Sequence, residues 1–162
     1  GVEHLGLQTF HANNLVDAGT VSTAQTGLVY GGGLGLRLVF LTLGARFRLA
    51  SFADYQLWTL NAEAGFRIPL GSIEPYFTFG GGYASLGSLD TASVAVKGFD
   101  LRGGFGLDVY LTEMFSLGGN LSGDLLFLTR PEVQSSTTAV YAKDGSSIGA
   151  GVTLTLVVGL HF

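Results

Sequence analysis

The sequence contains no cysteine, and charged residues make up only 12% of its 162 residues. Without cysteine there is no disulfide framework, no thiolate metal site and no cysteine nucleophile. An ordinary soluble domain carries about twice this share of charged residues. The formal net charge of -4, with 8 lysine and arginine residues, provides no basic patch and argues against nucleic acid as a partner.

Long hydrophobic runs are also missing, although the mean hydropathy is +0.43. The longest candidate, residues 38–43, lies between Arg37 and Gly44, far below the ~18 apolar residues expected of a spanning helix. The 3 prolines and the 47% apolar content argue against proline-rich disorder. Because only helices and closed barrels satisfy every backbone group in lipid, a hydrophobic chain without spanning helices favours a barrel. The chain begins without methionine or a signal-peptide pattern, so we expect a mature form.

What the sequence does contain is an alternation of apolar and polar residues with period two, which is typical of β-strands. It predicts eight strands in one domain, residues 1–162: about 2–12, 26–38, 41–51, 56–69, 75–87, 98–111, 115–128 and 147–162. Connections after strands 2, 4 and 6 are short, and those after strands 1, 5 and 7 are longer and polar. This layout predicts an all-β, transmembrane, antiparallel up-and-down β-barrel with both termini on the periplasmic side. Strand 1 is the weakest, with Leu5 and Leu7 setting its apolar face.

The two faces of the other strands differ in charge, and we assign the apolar face to lipid. The opposite face then forms a lumen charge network of Arg37, Arg46, Arg48, Glu63, Arg67, Asp100, Arg102, Asp108 and Asp124. The hairpin registers are predicted to oppose Arg102 to Asp124, and Arg46 to Glu63, so that buried charges are paired. The alternative, a soluble lipocalin-type barrel with its apolar face inside, would have an unusually bare exterior.

Glycine, with 26 residues, is predicted on both faces of the wall. On the lumen side it leaves room for a water column or a ligand-sized cavity, or for long side chains to lie across the lumen. The charge network is therefore either a polar pathway or a salt-bridged plug, and the usual filling of eight-stranded barrels favours the plug. On the lipid face, glycines would allow close approach of another membrane element, or reflect barrel curvature. This outer set is Gly32, Gly81, Gly103, Gly119 and Gly123.

The chain ends in "VTLTLVVGLHF", in which Val158, Leu160 and Phe162 share one face of the last strand. This ending resembles the assembly signal that the insertion machinery of bacterial outer membranes recognises. With its eight strands, the chain is similar to the small eight-stranded bacterial outer-membrane β-barrel proteins, such as the OmpA transmembrane domain, OmpX and OmpW. The resemblance implies a Gram-negative outer-membrane location, contact with lipid and lipopolysaccharide, and a signal formed by these three residues.

Catalysis is not expected from the residues available. The three histidines, His4, His11 and His161, are scattered, and His11 lacks the His-x-Ser pairing that resembles outer-membrane deacylases. We expect no enzyme activity, cofactor or metal site. Two functions remain open: a structural or interaction component of the outer membrane, alone or within a larger complex of envelope proteins, or a narrow, porin-like channel for small or apolar solutes.

Overall fold

The structure, a computed structural model, describes residues 1–13, 15, 22–87, 96–131 and 144–162. These residues form eight strands and no helix. The strands are β1 (Val2–Asn13), β2 (Ala24–Leu38), β3 (Leu41–Ser51), β4 (Gln56–Arg67), β5 (Ile73–Gly87), β6 (Val96–Tyr110), β7 (Phe115–Arg130) and β8 (Gly145–Leu160). Each pairs antiparallel with its sequence neighbours, and β8 pairs with β1, so the sheet closes into a ring. The predicted up-and-down barrel is confirmed, with strand ends within two residues of those predicted.

The connections define two ends of the barrel. At the short-turn end, Val39 and Phe40 alone join β2 to β3, and Val39 has φ +58°. A β-branched residue is strained in this left-handed region, whereas Gly71 in the β4–β5 turn adopts φ +74° without a Cβ clash. The opposite end, called the loop end below, carries the connections after β1, β5 and β7. Most residues of these predicted longer loops lie outside the described residues.

The outer wall of β2 to β8 is apolar. Its exposed side chains include Leu34, Phe79, Phe105 and Leu156. Away from the strand ends, the charged side chains of the same strands point inward, and several are buried: Arg48, Asp100, Arg102, Asp108 and Asp124. A lipocalin-type barrel would show the reverse arrangement, with its apolar face inside.

In β1 the apolar residues Leu5 and Leu7 face the inside of the barrel, whereas the apolar face of the other strands faces outward. Leu5 and Leu7 were predicted to set its apolar face, and both are fully buried inside the barrel, on the same side as Glu3. The exposed Val2 lies on the outer side. The inward direction follows from the pairing of β1 with β2 and β8, which places Glu3 opposite the buried Thr153.

Candidate functional site: the layered lumen

A cluster of buried charges occupies the lumen at mid-height. Arg48 reaches in from β3, and its Nη2 lies 2.6 Å from Asp124 Oδ1 and 3.5 Å from Asp100 Oδ2. Its Nη1 lies 3.6 Å from Glu3 Oε2. Arg102 Nη1 approaches Asp124 Oδ1 at 3.1 Å. All five side chains are buried, so three carboxylates depend on two guanidinium groups for charge compensation.

Uncharged polar side chains complete part of this cluster. Asn61 Nδ2 donates a hydrogen bond to Asp100 Oδ2 at 2.6 Å, and the Thr153 hydroxyl donates to Asp124 at 3.3 Å. Arg102 also donates to the Ser122 hydroxyl. One carboxylate oxygen of Asp100 has no hydrogen-bond partner within the part of the chain that the structure describes, as is also true of one oxygen of Glu3. The compensation is therefore incomplete, which makes each arginine important.

Arg46 and Glu63 form a second layer, closer to the short-turn end. Arg46 Nε donates to Glu63 Oε2 at 2.8 Å. The predicted register was wrong by two residues, since Arg46 lies opposite Asn61. The cause is the position of the β3–β4 turn: opposition of Arg46 and Glu63 requires a turn centred between residues 54 and 55, whereas the observed turn consists of residues 52–55. The long arginine side chain spans the diagonal, so the ion pair forms despite the shift. The Arg102–Asp124 register is as predicted.

A third layer of charges lies at the short-turn end. Arg37 donates to both carboxylate oxygens of Glu74, at 3.0 and 2.7 Å. Arg67 Nη1 bridges Glu74 and Asp108, at 2.8 Å from each. The Tyr110 hydroxyl donates to Glu74 at 3.2 Å. All nine residues of the predicted network thus lie in one of three ion-paired layers.

Sequence reasoning missed two acids of these layers. Glu74 was assigned to a turn, but β5 begins at Ile73 and its inward side includes Glu74. Glu3 was missed because it shares a face of β1 with Leu5 and Leu7, and the apolar faces of the other strands were assigned to lipid. The place of Tyr76 in the lumen was also not predicted. The Arg67 guanidinium carbon lies 4.5 Å from the centre of the Tyr76 ring, and this ring fills the space where a Cβ at Gly106 would lie. For Glu74 the alternation along β5 was a usable signal, since Glu74 is in phase with the buried Tyr76. For Glu3 the alternation gave no direction, because its neighbours on that face of β1 are the apolar Leu5 and Leu7.

The loop end of the lumen is filled by apolar side chains, which were not predicted. Among the residues that the structure describes, this layer consists of Leu5, Leu7, Leu15, Val29, Ala50, Phe52, Tyr55, Leu57, Ala84, Leu86, Val96, Leu126 and Leu128. In the β3–β4 turn, burial, followed by the nearby Glu3 carboxylate, raises the pKa of the Tyr55 phenol, which therefore stays neutral. The layer separates the charged interior from the loop end.

A cavity of about 520 Å³ occupies the short-turn half of the lumen. Its wall is partly formed by Gly31, Gly33 and Gly35 of β2, and the side chains of Arg37 and Arg46 line it. The cavity also reaches residues 155–161 at the C-terminal end of β8. Its volume is in the range of small-molecule sites.

The outer glycines do not form one patch. Gly103 and Gly123 are direct cross-strand partners, with Gly119 further along β7. Gly32 lies on β2, which is not paired with any of those strands. A Cβ at Gly81 would lie 2.9 Å from the ring of Phe99, so this position is covered, whereas Gly32 and Gly103 are open. Of the C-terminal residues, Val158, Leu160 and Phe162 are all exposed on the outer side.

The histidines form no triad among the described residues. His161 Nε2 lies 2.9 Å from the Ser116 hydroxyl, and His4 Nδ1 lies 2.8 Å from the Thr26 hydroxyl. Neither ring is hydrogen-bonded to a described carboxylate. The side chain of His11 lies outside the described residues. Within the described ranges, no group of three or more potential ligands is placed to hold a metal ion.

Comparison of the sequence with known protein-family models and with curated proteins finds no match. In the residues that the structure describes, no helix is long and apolar enough to cross a membrane. The arguments below therefore depend on the geometry of the barrel wall and lumen.

Proposed function

We propose that the protein is an integral outer-membrane β-barrel that acts as a structural or interaction component of the bacterial envelope, alone or as a subunit of a larger envelope complex. The observation that carries this proposal is the direction of the two faces: the exposed wall is apolar, and the charges are inside. Soluble monomers rarely expose apolar patches beyond a few hundred Å². A lipid bilayer matches such a wall, and β8 pairs with β1 to close the sheet into a ring.

The proposed partners follow from this placement. The wall contacts outer-membrane lipid and lipopolysaccharide, and Val158, Leu160 and Phe162 form the signal for the insertion machinery. Other envelope proteins would dock on the wall or the loops. The cross-strand pair Gly103–Gly123 is a local depression in the wall where a second membrane element can approach closely.

The filled lumen favours this function over a narrow, porin-like channel. A conducting path would have to cross the apolar layer at the loop end and the Arg48 cluster below it, and both consist of buried side chains. The cavity supplies space only in the short-turn half. We therefore expect purified protein to give no current above the lipid background in planar bilayers. Stepwise conductance would contradict the proposal and favour the channel.

Membrane placement is tested by two arginine substitutions at matched exposed positions. Phe79, in the middle of β5, is 65% exposed, and Leu111, just beyond β6, is 60% exposed. In lipid, Phe79→Arg should cost about 2–4 kcal/mol and Leu111→Arg about 0–1 kcal/mol, because the cost of a charge falls towards the interface. The measurement is urea unfolding from lipid vesicles. Equally small effects of both substitutions would indicate a wall that faces water.

A further inference from the structure

The turns at the short-turn end of the barrel expose apolar side chains. Val39 in the β2–β3 turn is 72% exposed, Leu70 in the β4–β5 turn is 63% exposed, and Met114 in the β6–β7 turn is 56% exposed. Turns in water are mostly built from glycine, proline, asparagine, aspartate and serine, whereas Glu113 is the only charged residue in these three turns. We call the exposed apolar residues of the three turns the turn collar: Val39, Phe40, Ile68, Leu70, Leu111 and Met114.

The turn collar follows the rim of the barrel instead of forming a patch on one side. Its turns join β2 to β3, β4 to β5 and β6 to β7, so they lie at every second junction between these strands around the ring. The wall beside each turn is apolar too, with Leu38, Phe66 and Val109 exposed near the ends of β2, β4 and β6. A docked protein needs an apolar patch on one side only, whereas the boundary of a bilayer surrounds the barrel. The distribution therefore favours lipid as the occupant.

The backbone of the β2–β3 turn is hydrogen-bonded within the protein. Arg37 Nε donates to the Val39 carbonyl at 3.1 Å, and the Arg67 N–H donates to the Phe40 carbonyl at 2.7 Å. The guanidinium of Arg37 is also paired with Glu74 at 2.7 Å, so its charge is compensated inside the lumen. Both carbonyls of this two-residue turn therefore have partners in the protein.

The other two turns are closed in the same way. The Leu70 N–H donates to the Ile73 carbonyl at 2.9 Å, and the Leu111 N–H donates to the Phe115 carbonyl at 2.9 Å. Water can satisfy the backbone groups of a turn at a solvated surface, but next to hydrocarbon such groups need partners in the protein. The backbone of the turns, like their side chains, is therefore suited to contact with lipid.

We propose that the turn collar lies in the lipid interface, at the boundary between headgroups and acyl chains, so that the short-turn end does not extend into water beyond the bilayer. This inference rests on the proposed membrane placement and deepens it, because it names the depth at which the barrel lies. The partner of the collar is the lipid surface itself.

The height of the apolar wall agrees with this depth. On β6, the outward side chains from Phe99 to Val109 are all apolar or glycine. These ten steps, at about 3.3 Å per residue and a strand tilt of about 40°, span roughly 25 Å along the barrel axis, which is the height of the apolar band of a transmembrane barrel. A band that starts at Phe99 therefore ends at the β6–β7 turn.

The test places one tryptophan at a time in a Trp58→Phe background, because Trp58 is the only tryptophan. Met114→Trp and Leu70→Trp report the collar, and Phe79→Trp reports the middle of the wall. Ala53→Trp is the matched control, since Ala53 is exposed in a turn at the opposite end of the barrel. Each folded variant is inserted into phosphatidylcholine vesicles, and its fluorescence is quenched either by aqueous iodide or by lipids brominated at known depths along the acyl chain.

Both collar variants should lose more fluorescence to lipid brominated near the headgroup than to lipid brominated near the chain end, and iodide should quench them less than Ala53→Trp. Phe79→Trp should show the opposite dependence on bromine depth. Iodide quenching of the collar variants as strong as that of Ala53→Trp would overturn the collar, and so would bromine quenching at only one of the two turns.

Failure of the membrane placement gives a different result, namely loss of bromine quenching at Phe79→Trp. If Phe79→Trp is quenched by deep bromine while the collar variants are quenched by iodide, the barrel spans the bilayer and only the inferred depth is wrong. A collar variant that does not fold is replaced by Leu111→Trp, whose side chain is exposed in the β6–β7 turn and has the same expected result.

Discussion

Replacement of Arg48 by methionine should lower the free energy of unfolding of the barrel by more than any comparable substitution in the lumen. The Arg48 side chain is 7% exposed and compensates three carboxylates, at 2.6 Å from Asp124, 3.5 Å from Asp100 and 3.6 Å from Glu3. Methionine keeps much of the volume and removes the charge. Three buried carboxylates would then face Arg102 alone. Breaking a buried ion pair from one side costs about 3–5 kcal/mol, so we expect a loss in this range.

Arg46→Met is the matched control. Arg46 is on the same strand, points into the same lumen and pairs with one carboxylate, Glu63, at 2.8 Å. Its side chain is 33% exposed and borders the cavity, so solvent screens the pair. Pairs of this kind contribute about 0.2–1 kcal/mol. The two substitutions therefore separate the effect of burial from the effect of losing an arginine.

The assay is urea unfolding of protein refolded in detergent or vesicles, followed by the fluorescence of the only tryptophan, Trp58. A second variant tests the cause: Asp100→Asn added to Arg48→Met restores the net charge of the cluster and retains Arg102 beside Asp124. The loss of stability in the double variant should be smaller, by about 1 kcal/mol or more, than the sum of the losses that Arg48→Met and Asp100→Asn cause singly. Equal losses for Arg48→Met and Arg46→Met, or no recovery in the double variant, would refute this account of the cluster.

Three further predictions concern the turn, the apolar layer and the chain end. Val39→Gly should stabilise the protein by about 1 kcal/mol in urea unfolding, because φ +58° no longer opposes a Cβ, whereas Val39→Ala should give little gain; an equal gain for both would contradict the strain. Leu57→Ala should cost about 2–5 kcal/mol by opening a cavity in the apolar layer, and the outward, exposed Leu36→Ala should cost clearly less; equal costs would mean that the layer is loosely packed. Deletion of Phe162 should reduce assembly in cells, measured as heat-modifiable barrel in the membrane fraction, while refolding of the purified protein is unchanged; normal assembly would remove the signal interpretation.

The local pattern was enough to predict the strands and their number. A strand places alternate residues on opposite faces whatever its partners are, so period two in the sequence translates directly into one apolar and one charged face. Arg48 and Asp124, for example, are assigned to the lumen by phase alone. The short turns after strands 2, 4 and 6 then specify antiparallel neighbours.

The sequence by itself therefore determined the eight strands, the antiparallel order and the direction of the charged face in β2 to β8. Only the tertiary structure decided what depends on pairing between strands. One example is the two-residue register shift that places Arg46 opposite Asn61, and another is the inward direction of Leu5 and Leu7. A third is the participation of Glu3 and Glu74 in the ion-paired layers. The tertiary structure also decided the apolar layer at the loop end of the lumen. The physical reason is that alternation is a property of one strand, whereas register, depth and closure arise from the hydrogen-bonded ladders between residues distant in sequence.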